Sequence, residues 1–555
     1  MRLITLIFCL FLLIPVASAL AMVEFCPDPY LPEDTDEYVV LEGNGTLEGV
    51  TVSDGEGGFR FPPDTEIRGR ITIARNGDAY RISHGEYPDY EWYDTVPEVP
   101  DVIRGGTLRL GNTNDNLQLL VDNHLQQEVA WPQDVKPREG QVHFFEDGIW
   151  DPRVLLIGQS AFDTQTYENV SGVAFVSPDC SSDVYEEMID GSSERLLVNV
   201  YEFTHPGMAD AFIRAHDRGV SVTVLLEGGP VGGISPEEKA ICWEMNQSGI
   251  PVYQMTTFDG VHAPYRYNHA KYIIADTRSL LITSENFKES GFPEPGEGGN
   301  RGWGVYLESI PVAEYFTRVF EYDAGGGWIA PLPGAPGTAE GSYHANRQVE
   351  FPPERFSGAK VTPVLSPDTS GLVLRLVESA EKTIDIEEAY ISNTSNQAVN
   401  PYLGAAINAS RRGVNVRVLL DSYWFNVEDE NDNDEMVRYI NHIAQVENLP
   451  LEARCAGLDA AGLEKIHNKG VIVDGEQVLI SSINWNTNSP TFNREAGVII
   501  AHSGVARYFG RVFEADWKAS SGSGSEDNPF DYLKMGLAIG AVLLLILFFV
   551  YRRTR

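Results

Sequence analysis

The sequence predicts an α/β protein made of two copies of one unit, with an all-β domain before them and one membrane-spanning helix after them. Three observations carry this. From about residue 150, strand-like runs (RVLLIG, GVAFV, LLVNVYEF, VSVTVLLE) alternate with helical segments such as 207–218. Within that region, strings of residues recur at a nearly constant offset. Near the C-terminus, an uncharged apolar run is closed by arginines.

The composition supports folded domains. Of the 555 residues, 43% are hydrophobic and 22% charged, enough apolar material to fill cores. The balance is acidic, with 80 Asp and Glu against 41 Lys and Arg and a net charge of −39. Such a surface repels a phosphate backbone at long range, so general nucleic-acid binding is not expected.

Residues 1–19 (MRLITLIFCLFLLIPVASA) carry a positive start at Arg2, an apolar run and a small-x-small end at Ala17-Ser18-Ala19, the pattern of a secretory signal peptide. Residues 535–551 (MGLAIGAVLLLILFFVY) are seventeen uncharged residues, spanning roughly 25 Å as a helix, the short limit for crossing a bilayer. Arg552, Arg553 and Arg555 in the tail 552–555 favour a cytoplasmic C-terminus. The expected location is therefore the cell membrane, single-pass, with the bulk of the chain outside. Five N-x-S/T sequons, at Asn44, Asn169, Asn246, Asn393 and Asn408, fit an exported protein. Cys26, Cys180, Cys242 and Cys455 remain after signal removal, too few to scaffold the fold; their pairing stays open.

Residues 23–135 read as a sandwich of short strands. DEYVVLEG, GVTVSDG, EIRGRITIA, TLRLGN and LQLLVD alternate or run apolar between Gly, Asp and Asn turns. No helical period of useful length interrupts them. Their order resembles the lamin-tail domain, an immunoglobulin-like module, and no catalytic constellation lies there.

The first α/β unit is placed at 150–325 and the second at 358–518, with a Gly/Pro-rich connector, 326–357, between them. A Gly/Ser-rich linker, 519–534, leads to the apolar run. Ser177-Pro178-Asp179 recurs as Ser366-Pro367-Asp368, and AFIRAHDRGVSVTVLLEG (211–228) as AAINASRRGVNVRVLLDS (405–422). The string from Tyr315 to Asp323 recurs from Tyr508 to Asp516.

At matching positions in each copy sits one chemical constellation. The first holds His269, Lys271 and Asp276, then Ser284 and Asn286; the second holds His467, Lys469 and Asp474, then Ser482 and Asn484. In both, Lys follows His by two, Asp by seven, Ser by fifteen and Asn by seventeen. His and Lys two apart on an extended segment share a face. Imidazole beside ammonium makes a phosphate site with a nucleophile or proton carrier. Ser and Asn on the next strand would add neutral donors to phosphoryl oxygens. No His/Cys cluster has zinc spacing, so neither a metal nor another cofactor is expected.

This pattern resembles the phospholipase D superfamily, whose signature is H-x-K-x4-D followed by a G-S-x-N-like turn. The resemblance implies two α/β/α sandwich repeats about a pseudo-twofold axis, both motifs in one cleft, and a monomer that is an internal pseudo-dimer. It implies a phosphodiester exchange in which one histidine attacks phosphorus and the other handles the proton of the leaving and entering oxygen. By carry-over His269 is the nucleophile and His467 the acid/base; the sequence itself does not order them. Lys271, Lys469, Ser284, Ser482, Asn286 and Asn484 would hold the phosphoryl group, while Asp276 and Asp474, grouped with His269, Lys271, His467 and Lys469 in the catalytic motif, read as structural ion-pair partners within it. Glu495, in Asn493-Arg494-Glu495, matches a glutamate that orients a catalytic histidine. Copy one reads Asn300-Arg301-Gly302 and lacks it, so either Glu297 substitutes or the orienting group of His269 comes from elsewhere. Two motifs in one chain, a membrane tether and an acidic surface favour a phospholipid substrate. The alternatives are a secreted, tethered nuclease and a catalytically silent envelope or adhesion module.

Overall fold

A computed structural model describes residues 20–520 apart from 132–137, 147, 152–153, 259–260, 340–347, 395–397 and 429–431. The expected signal peptide and apolar run lie outside the described residues. Among the described residues, no helix is long and apolar enough to cross a membrane.

The N-terminal domain folds from strands β1 (Ala21–Cys26), β2 (Tyr38–Thr46), β3 (Val50–Ser53), β4 (Gly58–Arg60), β5 (Glu66–Ala74), β6 (Tyr90–Glu91), β7 (Ile103–Arg104), β8 (Asp115–Val121), β9 (His124–Trp131), β10 (Gln141–Glu146), β11 (Ile149–Trp150) and β12 (Leu155–Leu156). One sheet runs β11-β10-β1-β2-β5-β6, with β12 on β10, and the other β7-β4-β3-β8-β9. Their apolar faces enclose Phe25, Val52, Phe59, Trp92, Leu119 and Trp131. The first sheet runs past the expected end at 135, because β10 pairs with β1 (Glu24↔Phe144). A helix, Gly77–His84, also interrupts the strands; Asn76 caps it and Gly85 closes it in the left-handed region. At eight residues it is too short to show a helical period in sequence.

The α/β region contributes β13 (Tyr167–Ser177), β14 (Arg195–Val200), β15 (Ser221–Glu227), β16 (Val252–Met255), β17 (Tyr272–Ala275), β18 (Ser279–Thr283), β19 (Gly302–Glu308) and β20 (Ile329–Pro331) from the first copy. The second supplies β21 (Glu354–Ser366), β22 (Thr383–Glu388), β23 (Asn415–Leu420), β24 (Leu451–Cys455), β25 (Lys469–Val473), β26 (Gln477–Ser481) and β27 (Glu495–Ala501). They form one 15-stranded sheet, β20-β16-β15-β14-β17-β18-β19-β13-β21-β27-β26-β25-β22-β23-β24. Apart from β20, the order reads alike outward from its centre, as a duplicated unit requires.

The two sheets expected from the repeats are thus joined edge to edge. The long strands β13 and β21 pair antiparallel (Val170↔Ala359, Gly172↔Phe356), and each also pairs with its own copy's β19 or β27. Pairing removes what would be two open edges. Strands such as YIIA (β17) and KGVIV (β25) are buried along their whole length, as expected when both sheet faces are covered. Helices Ser181–Gly191, Pro206–Asp217 and Pro236–Gln247 build a core private to copy one, and Gly371–Glu378, Pro401–Arg411 and Asn433–Glu447 one private to copy two. On the other face, helices Ile310–Gly325 and Ser503–Ala519 share a core holding Trp303 and Phe316 of copy one with Phe509 and Trp517 of copy two. This shared core welds the copies into one body. Cys26, Cys180, Cys242 and Cys455 are unbridged, three of them buried.

Candidate active site

The duplicated strings converge on the interface between the copies. Arg301 and Arg494 are both fully buried. Arg494 Nη1 donates to Asp368 Oδ1 of its own copy at 2.9 Å, and Arg494 Nη2 to Asp323 Oδ1 of the other copy at 2.9 Å. The mirror relation holds for Arg301, with Asp179 at 2.9 Å and Asp516 across the interface at 2.7 Å. The repeated Ser-Pro-Asp, Asn-Arg and terminal Asp strings are therefore two copies of one cross-copy ion-pair network. Buried charges need such pairing, since the desolvation cost is otherwise several kcal/mol per ion.

The same arginines position the histidines through their backbones. His269 N–H donates to Arg494 O at 2.8 Å, and His467 N–H donates to Arg301 O at 2.9 Å. Each histidine immediately precedes a buried hairpin, β17–β18 or β25–β26, and so stands at the strand end facing the other copy. His269 and His467 line one cavity of about 360 Å³, with Lys469, Asn286 and Asn484. A larger cavity, about 890 Å³, borders helix Ser503–Ala519 and contains none of these groups.

The carboxylate partners cross the interface too. His269 Nδ1 lies 2.8 Å from Glu495 Oε2. Glu495 also accepts from Ser482 Oγ at 2.5 Å, Ser489 Oγ at 2.5 Å and Asn493 Nδ2 at 3.0 Å. Burial raises the Glu495 carboxyl, but His269, Lys271 and the hydrogen bonds outweigh it and hold its pKa below the ordinary range. An ionised carboxylate only accepts, so His269 Nδ1 carries the proton and Nε2 is left with its lone pair. Glu495 therefore orients the histidine of copy one, not its own. Glu297 is not needed for that task and does not line the cavity.

His467 faces Glu285, whose Oε1 is 3.4 Å from His467 Nδ1. Sequence reasoning missed Glu285, which stands between Ser284 and Asn286 where copy two has Ile483. That carboxylate inside the motif was the available signal. Burial lowers His269, opposed by Glu495. It lowers His467 much further, with Lys469, Lys465 and Lys271 adding to the effect. Burial also brings Lys271 down to about 7 and Lys469 to about 8.

The remaining motif residues divide. Lys271 and Lys469 each donate from Nζ to the carbonyl oxygen of their own histidine at 2.6 Å. Asn286 and Asn484 line the cavity as expected. Ser284 and Ser482 do not; both are fully buried. Ser284 Oγ accepts from Trp303 N–H at 3.2 Å, and Ser482 Oγ is committed to Glu495. Their hydroxyls shape the site from behind instead of meeting a phosphoryl group.

Asp276 and Asp474 also lie away from the cavity, at the far ends of β17 and β25, where both take positive φ (53° and 54°) in tight turns. Asp276 accepts from the N–H groups of Ser193, Glu194 and Arg195, and Asp474 from those of Glu381, Lys382 and Thr383. The expected catalytic grouping is corrected here: these carboxylates clamp the start of β14 and β22. Backbone amides, not cations, are their main partners.

The cavity further holds Tyr201, Glu202, Lys288, Lys465 and Phe425, none of which a repeat singles out. Tyr201 packs edge-on to His269, with centroids 4.8 Å apart. Lys288 pairs with Glu202 at 2.8 Å.

The family model described as "Cardiolipin synthase, PLD-like domain" matches residues 185–324 and 373–517, together just over half of the chain. A search of curated proteins returns no match. Among solved structures, the chain is similar to phosphatidylserine synthase of Haemophilus influenzae Rd KW20, at 12% identity over 63% of this chain and 87% of that one, with a TM-score of 0.46. It is also similar to the phospholipase D family member Nuc from Salmonella typhimurium, at 21% identity over 30% of this chain and 98% of that one, with a TM-score of 0.25. NucT from Helicobacter pylori aligns at 16% identity over 29% of this chain and 97% of that one, with a TM-score of 0.24. With the family model spanning both copies and both histidine motifs, the chain belongs to the phospholipase D superfamily and is a phosphodiester-acting member of it.

Proposed function

We propose that the chain hydrolyses or exchanges the headgroup phosphodiester of phospholipids through a phosphohistidine on His269. In the first step His269 Nε2 attacks phosphorus, the bond from phosphorus to the leaving oxygen breaks, and His467 gives that oxygen its proton. In the second, His467 takes a proton from water or an acceptor alcohol, whose oxygen attacks phosphorus, and the P–N bond breaks. Glu495 supports the first role, because a fixed Nδ1–H leaves Nε2 as the nucleophile and a carboxylate stabilises the charge that develops on the ring. Lys469 and Lys271 supply positive charge, and Asn286 and Asn484 neutral polar groups. The anionic diester raises His467 back toward the value an acid needs.

The observation that favours lipid is the mouth of the cavity. Val231, Trp424 and Phe425 are 76%, 59% and 48% exposed, and Val231 and Phe425 also line the cavity. They come from loops that follow the corresponding strands β15 and β23. An apolar rim contributed by both copies around a cavity of about 360 Å³ that holds the two histidines suits a headgroup at a bilayer surface. It suits a polyanion poorly, in a chain of net charge −39. The apolar run 535–551 would tether the chain beside that surface, with the catalytic region outside the cell.

The test is incubation with phospholipid vesicles plus a primary alcohol, in parallel with plasmid and single-stranded DNA. Headgroup release with formation of the phosphatidyl alcohol is expected. Degradation of DNA with intact lipid would replace this reading by a nuclease, and inertness toward both by a silent module.

A further inference from the structure

We propose that Glu285 is the positioning residue for His467, occupying the place in copy one that Glu495 fills in copy two, from a different point in the chain. The inference rests on the two-histidine reading above and deepens it.

The carboxylate has moved between strands. Gly302 and Glu495 are equivalent: each follows Asn-Arg, opens β19 or β27, and pairs with the serine of the repeated Ser-Pro-Asp string (Gly302↔Ser177, Glu495↔Ser366). Glu285 and Ile483 are equivalent as well, each sixteen residues after its copy's histidine. Copy two thus carries Ile then Glu, and copy one Glu then Gly. The two differences compensate in space. A Cβ on Gly302 would lie 2.3 Å from Glu285 Oε1 and 2.5 Å from its Cγ, so the missing side chain at 302 is the room that Glu285 uses.

The supporting asparagine follows the carboxylate. Asn493 Nδ2 donates to Glu495 Oε1 at 3.0 Å, and its counterpart Asn300 Nδ2 donates to Glu285 Oε2 at 3.0 Å. That leaves Glu285 Oε1 facing His467 Nδ1 at 3.4 Å, and both atoms are buried without a hydrogen-bond partner among the described residues. Buried polar atoms are costly to leave unmade, and catalytic bonds are often long before substrate binds. These two atoms are each other's partner. The charged or titratable groups that act most strongly on His467 are Lys469, Lys465, Lys271 and His269, all of which disfavour its protonation. Glu285 is the carboxylate placed to favour it.

The test uses the full chain with Glu285→Ile, Glu285→Gln, and the double replacement Glu285→Ile with Gly302→Glu, which gives copy one the arrangement of copy two. Glu285→Ile is expected to slow turnover of an unactivated phosphatidyl substrate by about 10²–10⁴-fold, the worth of a general acid. It should largely spare the first turnover of a nitrophenyl phosphodiester, whose leaving group needs no proton. The double variant should recover most of the loss. The ¹⁵N spectrum of the His467 ring should show the Nδ1–H tautomer in the parent and double variant and a mixture in Glu285→Ile. If Glu285→Ile does not fold, Glu285→Gln, which keeps the shape and loses the charge, takes its place in both measurements. An unchanged tautomer and unchanged turnover in the variant lacking the carboxylate would overturn the proposal while the parent's activity upheld the two-histidine reading. A parent inert toward every phosphodiester would remove that reading, and the ring spectrum alone would still decide the pairing.

Discussion

His269 Nδ1 sits 2.8 Å from Glu495 Oε2, although the two residues belong to different copies of the repeat and are 226 positions apart. Neither copy contains a complete active site. Each supplies the histidine and lysine of one half and the carboxylate of the other, and the buried pairs Arg494–Asp323 and Arg301–Asp516 hold the halves in register.

His269→Ala and His467→Ala should both abolish turnover of natural diesters but differ on an activated one. His467→Ala is expected to keep a first burst with a nitrophenyl ester and to accumulate phosphate on His269, visible by intact-protein mass spectrometry. His269→Ala should give neither burst nor label. Label found on His467 instead would reverse the roles.

The pH profile should show the lysines. Burial lowers Lys271 to about 7 and Lys469 to about 8, so in the free enzyme both lose their charge as pH rises through that range. Because kcat/KM reports free-enzyme groups, it should fall between pH 7 and pH 9, with the limb of kcat displaced upward by the bound anion. A profile that is flat or rising there would contradict the assignment. The stability effect has the opposite sense. With folded values depressed from 10.5, the unfolded chain binds more protons above about pH 7, so these two groups make stability rise with pH up to about 10.

Asp276→Ala and Asp474→Ala should cost stability, not chemistry. Each removes a carboxylate that accepts from three backbone N–H groups, a loss of about 1.5–3 kcal/mol. Denaturant unfolding should shift to a lower midpoint while kcat stays close to the parent value. A collapse of kcat at unchanged stability would return these residues to the catalytic set.

Arg494→Met should be among the most damaging single changes. It leaves Asp323 and Asp368 buried without their shared cation, which costs about 3–5 kcal/mol. It also strips the network that carries the carbonyl holding His269 N–H. Equilibrium unfolding should show the loss, and a variant as stable as the parent would show that the network is dispensable.

The repeat, the paired H-x-K-x4-D strings and the α/β character were legible in the sequence because duplication preserves spacing and buried strands preserve apolar runs. The N-terminal sandwich was legible for the same reason, apart from its last strands. β11 and β12 are only two residues each and pair locally with β10, while β10 is separated from β1 by more than a hundred residues, and only the fold pairs those two. The fusion into one sheet had no sequence signal either, since edge pairing is made of backbone hydrogen bonds that any side chains permit.

What the sequence alone determined is which chemical groups the site contains: two histidines, two lysines and two asparagines in duplicate register. What only the tertiary structure decided is how they are wired. Local spacing fixes which face of a strand a residue occupies, and so it could bring His269 near Lys271. It carries no information about contacts across a shared core. The pairing of His269 with Glu495 arises where the two copies meet, while the placement of Glu285 in the space left at Gly302 and the withdrawal of Asp276, Asp474, Ser284 and Ser482 from the cavity come from contacts between distant segments of one copy. The pairing of β13 with β21 and the packing of helices Ile310–Gly325 and Ser503–Ala519 into one core bring the two copies together.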